Sequence, residues 1–299
     1  MGKSLRRNLI GKTALQEKSA ELDIPMERLF LGYVMEQLAV RLSESEWGTQ
    51  LLLKNPDVLG LSGLGKGSSH RLYYMYVKQP SDCFSKSDFA VFLKKTIKWE
   101  TQTNIVWSWR STMEGSRLIV ELLAALDDMR MPVELIVDPV DEGTFGHTVG
   151  EYSLRLMMEN NKTCTLVVYP ARKLFFDDLK EALTKLELLG DMAVYERMYD
   201  TLAILDFEGR QFQKSLEQFC LEHAIAMDEV RYQQMERYQT YPYMKKKWKS
   251  YLAKQRKRTP TWEEVYGRFW SFLMPPWNAS LQGMVYLGSW MPELGRYLD

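Results

Sequence analysis

The N-terminal part of the chain carries apolar side chains at helical intervals. Between Leu15 and Leu42 these residues recur mostly every three or four positions, a spacing that predicts helix. Asp23 followed by Pro25 is typical of a helix start, so a second helix is predicted from about residue 24. We therefore expect two helices that meet near Leu22.

The next stretch alternates between strand and turn signals. A short apolar run that begins at Leu51 is broken by Asn55-Pro56, and a loop rich in glycine and serine follows at 60–69. Its GLGKGSS segment resembles a phosphate-binding loop only loosely, because the spacing of that motif is missing, and we interpret it as a flexible turn. Arg71–Lys78 is rich in β-forming residues and is predicted to be a strand.

Further β-like runs surround one helical segment. The pattern predicts a helix over 86–98, with Ser87 or Asp88 as its cap. Strands are predicted at 104–109, 117–126, 132–140 and, as the last strand, 163–171. Helices and strands do not alternate regularly here, so we expect a small mixed sheet rather than a doubly wound one.

After Pro170 the pattern becomes helical throughout. Four segments of helical period follow, and Gly190, Gly209 and Pro260 separate them. The sequence thus predicts an α+β protein. N-terminal helices and a small sheet are expected in residues 1–172, and a helical bundle in residues 173–299.

Composition and charge narrow the classes of protein. The 299 residues are 45% hydrophobic and 26% charged, which is ordinary for a globular chain and excludes disordered and collagen-like classes. Lysine and arginine number 39, as do aspartate and glutamate, so any surface for nucleic acid must be local. An apolar run long enough to cross a membrane is missing, so we expect a cytoplasmic protein without a membrane partner.

Cysteine and histidine give no metal or disulfide signal. Cys83, Cys164 and Cys220 are far apart in sequence, and the three histidines are equally isolated. The sequence predicts no metal site. Sixteen tyrosines and nine tryptophans are a heavy aromatic load, which indicates either an aromatic-rich core or half-buried faces for a partner.

One segment is strongly basic. The run from residue 245 to residue 258 contains eight basic residues, no acids and two interleaved aromatic rings. Lysines neutralise phosphates and rings stack on unpaired bases, so the segment is a candidate surface for nucleic acid or a partner. A solvated helix face is the alternative. The candidate residues are Lys245, Lys246, Lys247, Trp248, Lys249, Tyr251, Lys254, Arg256, Lys257 and Arg258.

Several segments together suggest a family. MEQLAVRLSES, WGTQLLLKNPDVLGL, FFDDLKEALTKLELLG, YERMYDTLAILDF and the block WKSYLAKQRKRTPTWEEVYGRFWSFLMPPW resemble the AbiEii/AbiGii group of nucleotidyltransferase-like toxins. The resemblance extends roughly from Leu15 to Trp277. It implies a nucleotidyltransferase-like sheet followed by a helical bundle.

The resemblance also implies where a catalytic site would lie. Lys54 matches the family's lysine, but Asn55-Pro56 replaces the glycine pair that follows it. The strand expected to hold two aspartates, which bind magnesium and the triphosphate in this chemistry, reads Tyr73-Tyr74-Met75-Tyr76. A third acid has a match in Asp138, with Glu134 as the alternative in a shifted register. Taken alone, an aspartate that ends a strand before a proline, as Asp138 does, is more often a turn residue than a metal ligand.

Later motifs match the family only in part. Lys185 is the nearest match to a helical lysine of the family. Tyr199-Asp200 matches the family's Tyr-Asp pair, while Glu196-Arg197 replaces the lysine and aspartate that precede it. Residual pocket candidates are therefore Lys54, Asp138, Lys185 and Asp200. Other paired acids lie at 127–128, where we predict a hairpin turn, and at 177–178, where we predict a helix start.

These departures favour a catalytically degenerate member of the group. We expect a binding or structural component of a bacterial defence, toxin–antitoxin or mobile-element system, with a protein partner encoded nearby and no cofactor. One alternative is an active toxin that transfers nucleotides from a nucleoside triphosphate to RNA, which would require magnesium. The other is a subunit that binds RNA or DNA through residues 245–258.

Overall fold

The computed structural model describes residues 10–64, 70–78, 85–97, 104–141, 149–159, 162–254 and 258–298. The chain forms two compact units, Met1–Pro170 and Ala171–Asp299. The predicted domain boundary after residue 172 stays a prediction. Cys83 lies outside the described residues, as do Arg256, Lys257 and positions 65–69 of the predicted turn.

Two helices open the first unit. Helix α1 spans Lys12–Leu22 and α2 spans Met26–Ser43. Asp23 between them has a left-handed backbone (φ 53°), which ends α1 as glycine would in such a cap. The prediction of two helices that meet near Leu22 is therefore confirmed, although α2 begins after Pro25 rather than at residue 24. Two further helices follow, α3 at Gly60–Gly63 and α4 at Lys86–Ile97.

Seven strands of the first unit form one mixed sheet in the order β3-β4-β5-β2-β1-β7-β6. Their bounds are β1 Leu51–Leu53, β2 Arg71–Lys78, β3 Val106–Glu114, β4 Arg117–Leu126, β5 Met129–Asp141, β6 Gly150–Arg155 and β7 Thr163–Val168. Strands β2 and β5 are parallel, as are β1 and β7, and the other neighbours are antiparallel. The sheet is thus mixed, as predicted.

The two faces of this sheet differ. Along β2, Leu72, Tyr74 and Tyr76 are buried in the hydrophobic core with α2 and α4, whereas Tyr73 and Met75 point to the opposite face. The alternation continues in β5, where Val137 is in the core and Asp138 is on the opposite face. The opposite face, which we call the polar face, therefore brings Tyr73, Met75 and Asp138 together.

Some local predictions for the first unit were wrong. Strand β6 was missed, β7 ends at Val168, and residues 60–63 of the predicted loop form a short helix. Strand β5 starts at Met129 and runs through Asp138, which is therefore not a turn residue. Pro139 is tolerated because the β4 pairing ends at Val137, so the missing N–H costs no ladder bond on that side.

The second unit is mainly helical. Its helices are α5 Ala171–Lys185, α6 Ala193–Leu202, α7 Gly209–Glu222, α8 Glu229–Tyr238, α9 Pro242–Lys254 and α10 Trp262–Leu281. A small sheet that the sequence did not predict joins β8 Phe207–Glu208, β9 Ser289–Met291 and β10 Arg296–Leu298. The predicted α+β class, with a helical C-terminal part, is confirmed.

Aromatic side chains fill the core of the second unit. Four tryptophans are at most 2% exposed, and α10 packs its rings against those of α5 to α9. The buried tryptophans are Trp248, Trp262, Trp277 and Trp290. An aromatic-rich core thus accounts for much of the aromatic load. Among the described helices, none combines the length and the hydropathy that crossing a bilayer requires.

Candidate functional site: the polar face of the sheet

Asp138 lies beside Met75 on the polar face of the sheet and is held by an arginine from the next strand. The Arg117 guanidinium donates to both carboxylate oxygens, with Nε 2.7 Å from Oδ1 and Nη2 3.0 Å from Oδ2. This is the bidentate geometry of a strong arginine–carboxylate pair. Its hydrogen bond to Asp138 raises the pKa of Arg117 above the usual range. The carboxylate therefore already has its counterion.

The same face repeats this arrangement. Arg71 pairs with Glu134 across β2 and β5, and Arg110 pairs with Glu121 across β3 and β4. In both cases the two residues are direct register partners, so their side chains meet at the distance that favours opposite charges. Glu134, the alternative acid in a shifted register, is thus also paired with an arginine.

Lys54 follows β1 and does not reach into a glycine-rich turn. Its backbone N–H donates to the Tyr73 carbonyl at 2.7 Å, and its Nζ lies 5.1 Å from the centre of the Tyr169 ring. The next residue, Asn55, bonds to the backbone of β2 through Nδ2 to the Arg71 carbonyl (3.0 Å) and through Oδ1 from the Tyr73 N–H (2.9 Å). Where the family has glycine, a side chain here ties the turn to β2.

The residues present do not fit a magnesium–triphosphate site. Magnesium needs several oxygen ligands, and two or more carboxylates usually supply the negative charge. Tyr73 and Met75 offer a phenol and a thioether on the polar face, and Asp138 is bound to Arg117. Among the described residues, no group of three or more His, Cys, Asp or Glu side chains is close enough to hold a metal ion.

The remaining pocket candidates, Lys185 and Asp200, lie in the second unit. Lys185 is in the last turn of α5, where its Nζ is 2.9 Å from the Glu181 carboxylate. Asp200 is in α6, one position after Tyr199, whose ring is covered by the Arg268 guanidinium at 4.0 Å. Two of the four pocket candidates, Lys54 and Asp138, therefore lie in the first unit, and the other two lie in the second.

Glu196 and Arg197 of α6, which stand where the resemblance implies a lysine and an aspartate, both make contacts within the second unit. Arg197 donates to Asp178, with Nη2 2.5 Å from Oδ1 and Nε 3.0 Å from Oδ2, and Asp178 is only 4% exposed. Asp178 lies in the middle of α5, so the predicted helix start at 177–178 was wrong. The neighbouring Glu196 accepts a hydrogen bond from the Tyr251 hydroxyl, and burial, followed by this bond, raises the pKa of Tyr251.

Sequence reasoning missed Arg117 as the partner of Asp138, although a signal for it was present. The predicted turn at 127–128 joins β4 to β5, and Asp127 has the positive φ that such a turn requires. In the resulting register Leu118 faces Val137, which places Arg117 next to Asp138. Extending the hairpin from its turn would have found this pair.

The basic segment, residues 245–258, lies largely on α9, and its members have different environments. Trp248 is buried, and its Nε1 donates to the Pro260 carbonyl at 2.8 Å. The expectation that Trp248 stacks on a base does not fit this placement, because helical period puts it on the core stripe with Met244 and Leu252. Tyr251 is half-buried, whereas Lys246, Lys249, Lys254 and Arg258 are exposed.

Two lysines of α9 are occupied within the unit. Lys247 donates through Nζ to the carbonyls of Glu187 (2.9 Å) and Leu189 (2.5 Å). Lys245 forms an ion pair with Glu263 at 2.5 Å. The basic segment therefore contains lysines that hold the unit together as well as lysines that face solvent.

The chain is similar to solved structures only at low sequence identity. No family model matches the chain, and neither does any curated protein. A solved structure of a candidate nucleotidyltransferase from H. pylori covers 82% of this chain and 99% of its own, with 12% identity and a TM-score of 0.34. JHP933 from Helicobacter pylori covers 77% of this chain and 95% of its own, with 11% identity and a TM-score of 0.31. At these TM-scores the likenesses assign neither a fold family nor an activity.

Proposed function

We propose that this chain is a binding component with a nucleotidyltransferase-like fold that no longer transfers nucleotides. The assignment to the AbiEii/AbiGii type is part of this proposal, and it is supported by the sequence segments that resemble that group. The observation that carries the loss of activity is the bidentate pair between Arg117 and Asp138. It supports the proposal because the one acid that matches the family's site neutralises an arginine instead of a metal ion.

Two neighbouring contacts support the same conclusion. The side chains beside Asp138 on β2 are Tyr73 and Met75, and neither supplies a carboxylate. Arg197, which stands in α6 where the resemblance implies an aspartate, is engaged with the buried Asp178. A role in bacterial defence, in a toxin–antitoxin pair or in a mobile element, with a protein encoded nearby as the partner, is part of this proposal and follows from the resemblance alone.

The test is an incorporation assay. Purified protein is incubated with magnesium, each labelled nucleoside triphosphate in turn and RNA, and label in RNA is measured. We expect wild type and Asp138→Ala to give the same signal as a sample without protein. Magnesium-dependent incorporation that Asp138→Ala abolishes would contradict the proposal and favour the active toxin.

A folding control makes this assay interpretable. Asp138 and Arg117 are both partly exposed, so Asp138→Ala is expected to cost no more than about 1 kcal/mol of stability, the range of surface ion pairs. Thermal unfolding of the same samples checks that any loss of incorporation is not a loss of fold.

A further inference from the structure

Helix α9 turns one side to the core and the other to solvent. Its core stripe is Met244, Trp248 and Leu252, spaced by four residues. The opposite side, the outer face of α9, consists of the exposed residues Tyr243, Lys246, Lys249, Ser250, Ala253 and Lys254. Three lysines and a tyrosine thus share one surface of a single rigid helix.

The outer face has no acidic counterpart nearby in sequence. Between Glu236 and Glu263 the chain contains no aspartate or glutamate. Glu263 is engaged with Lys245, which lies off the outer face. Within the described part of the chain, Lys246, Lys249 and Lys254 take part in none of the ion pairs. Their charges are therefore available to an anionic partner.

A second exposed tyrosine, Tyr241, lies directly before the helix and extends this surface beyond Tyr243. Tyr241 is 41% exposed and Tyr243 is 48% exposed, and their ring centres are 6.1 Å apart. Lys247 lies 5.2 Å from the Tyr243 ring, so a cation is already next to this aromatic group. Neither tyrosine belongs to the basic segment singled out from the sequence, where the interleaved rings were Trp248 and Tyr251.

We propose that Tyr241, Tyr243 and the outer face of α9 bind a single strand of nucleic acid. Lys246 and Lys254 are separated by about 12 Å along the helix axis, a length over which lysines can neutralise successive phosphates of one strand. The exposed rings stack on unpaired bases, which a duplex does not offer. This inference rests on the proposed function in that it assigns a partner to a binding component.

The experiment measures binding of fluorescein-labelled oligouridylate by fluorescence anisotropy over a range of salt concentrations. The test variant combines Lys246→Gln, Lys249→Gln and Lys254→Gln. A matched control removes the same charge from other exposed positions of the second unit, with Lys180→Gln, Arg210→Gln and Lys214→Gln. A further variant, Tyr241→Leu with Tyr243→Leu, removes the rings, and a blunt-ended RNA duplex replaces the single strand in a parallel titration.

We expect the lysine variant to bind about tenfold more weakly and to lower the slope of log affinity against log salt by about 2, since each lost phosphate contact contributes about 0.7. The tyrosine variant is expected to weaken single-strand binding by about fivefold or more, and the duplex is expected to bind wild type more weakly than the single strand does. The control should bind as the wild type does.

Three results would overturn the inference. The first is an equal loss of binding in the matched control. The second is binding of the duplex as tightly as the single strand. The third is no binding of oligouridylate at low salt, which would make the outer face a surface for an acidic protein. Incorporation of nucleotides by the same samples would instead contradict the proposed function and leave the binding result intact.

Discussion

The polar face of the sheet and the outer face of α9 are both rich in positive side chains, but they use them differently. On the polar face, Arg71 and Arg117 each meet a carboxylate from a neighbouring strand. On the outer face of α9, Lys246 and Lys249 have no acid within the same stretch of sequence. A count of positive side chains is therefore a poor predictor of a binding surface. The better predictor is whether those charges are already neutralised by acids of the same fold.

Geometry explains the contrast. Direct partners on neighbouring strands lie close enough for opposite charges to pair, so the sheet neutralises its own arginines. On α9 the neighbours of Lys245 and Lys246 at three and four positions include Lys249, and like charges at that spacing destabilise a helix by a few tenths of a kcal/mol per pair. Lys245 and Lys247 are held by contacts within the unit, whereas Lys246 and Lys249 make no ion pair among the described residues that would offset this cost, which is consistent with a role in binding.

The largest expected effect separates buried from exposed rings of the same helix. Trp248→Ala removes a side chain that is 2% exposed and packs against Trp262, so we expect a loss of about 3–5 kcal/mol in the free energy of unfolding. The control Tyr243→Ala should cost less than about 1 kcal/mol, since that ring is 48% exposed. Urea unfolding measures both, and similar costs would contradict the assignment of core and outer faces.

The second-largest effect is expected for a buried acid of the first unit, whose protonation makes the stability of the fold depend on pH. Glu36 in α2 is fully buried and accepts from the Met157 N–H at 3.0 Å, and burial raises the pKa of its carboxyl from 4.5 to about 7. Because the folded chain then holds this proton more tightly than the unfolded chain, stability is present below pH 4.5 and is lost as pH rises towards 7.

Glu36→Gln removes this titration while keeping an acceptor for the Met157 N–H. One pKa unit corresponds to about 1.4 kcal/mol, so between pH 5 and pH 8 the free energy of unfolding of wild type should fall by about 2.5 kcal/mol relative to that of the variant. The nearby Glu159 and Gln37, which also act on the pKa of Glu36, are unchanged in the variant. Urea unfolding at both pH values checks this, and a constant difference between the two proteins would refute it.

Much of the architecture could be predicted from local pattern, and the failures share a cause. Strands β2 and β4 and the helix pair α1–α2 have clear periodicity, so they were found within a few residues. The small sheet was missed because its strands are two or three residues long and pair Phe207 with Trp290, far away in sequence. Local pattern carries no signal for such contacts.

The candidate site shows the same limit. The absence of carboxylates from Tyr73 and Met75 could be read directly, but the fate of Asp138 depends on the partner that β4 brings to it. Trp248 was misinterpreted because its basic neighbours were weighed above the spacing that links it to Met244 and Leu252. Tyr241 and Tyr243 could be distinguished from the other tyrosines only by their exposure in the fold.

The ion pair between Asp178 and Arg197 tests whether paired charges stabilise the second unit. Asp178→Asn leaves Arg197 without its carboxylate, and we expect a loss of about 2 kcal/mol, below the usual cost of breaking a buried pair because Arg197 is 40% exposed. Asp177→Asn, at the exposed neighbouring position on α5, should cost less than about 1 kcal/mol. Equal costs in thermal unfolding would mean that the pair does not stabilise the unit.

The smallest effect is expected at the polar face itself. Arg117→Ala removes a partly exposed ion pair and should cost no more than about 1 kcal/mol in urea unfolding. It also leaves Asp138 as a single carboxylate beside Tyr73 and Met75, which still does not make a magnesium site. A large loss of stability would show that the polar face is a structural core element rather than a neutralised surface.

We propose that the polar face of the sheet does not hold a metal-bound nucleotide. Electron paramagnetic resonance of manganese in the presence of ATP tests it directly, because manganese takes the same oxygen ligands as magnesium. We predict that wild-type protein leaves the signal of manganese–ATP unchanged. Saturable binding of one equivalent that is lost in Asp138→Asn would contradict the claim.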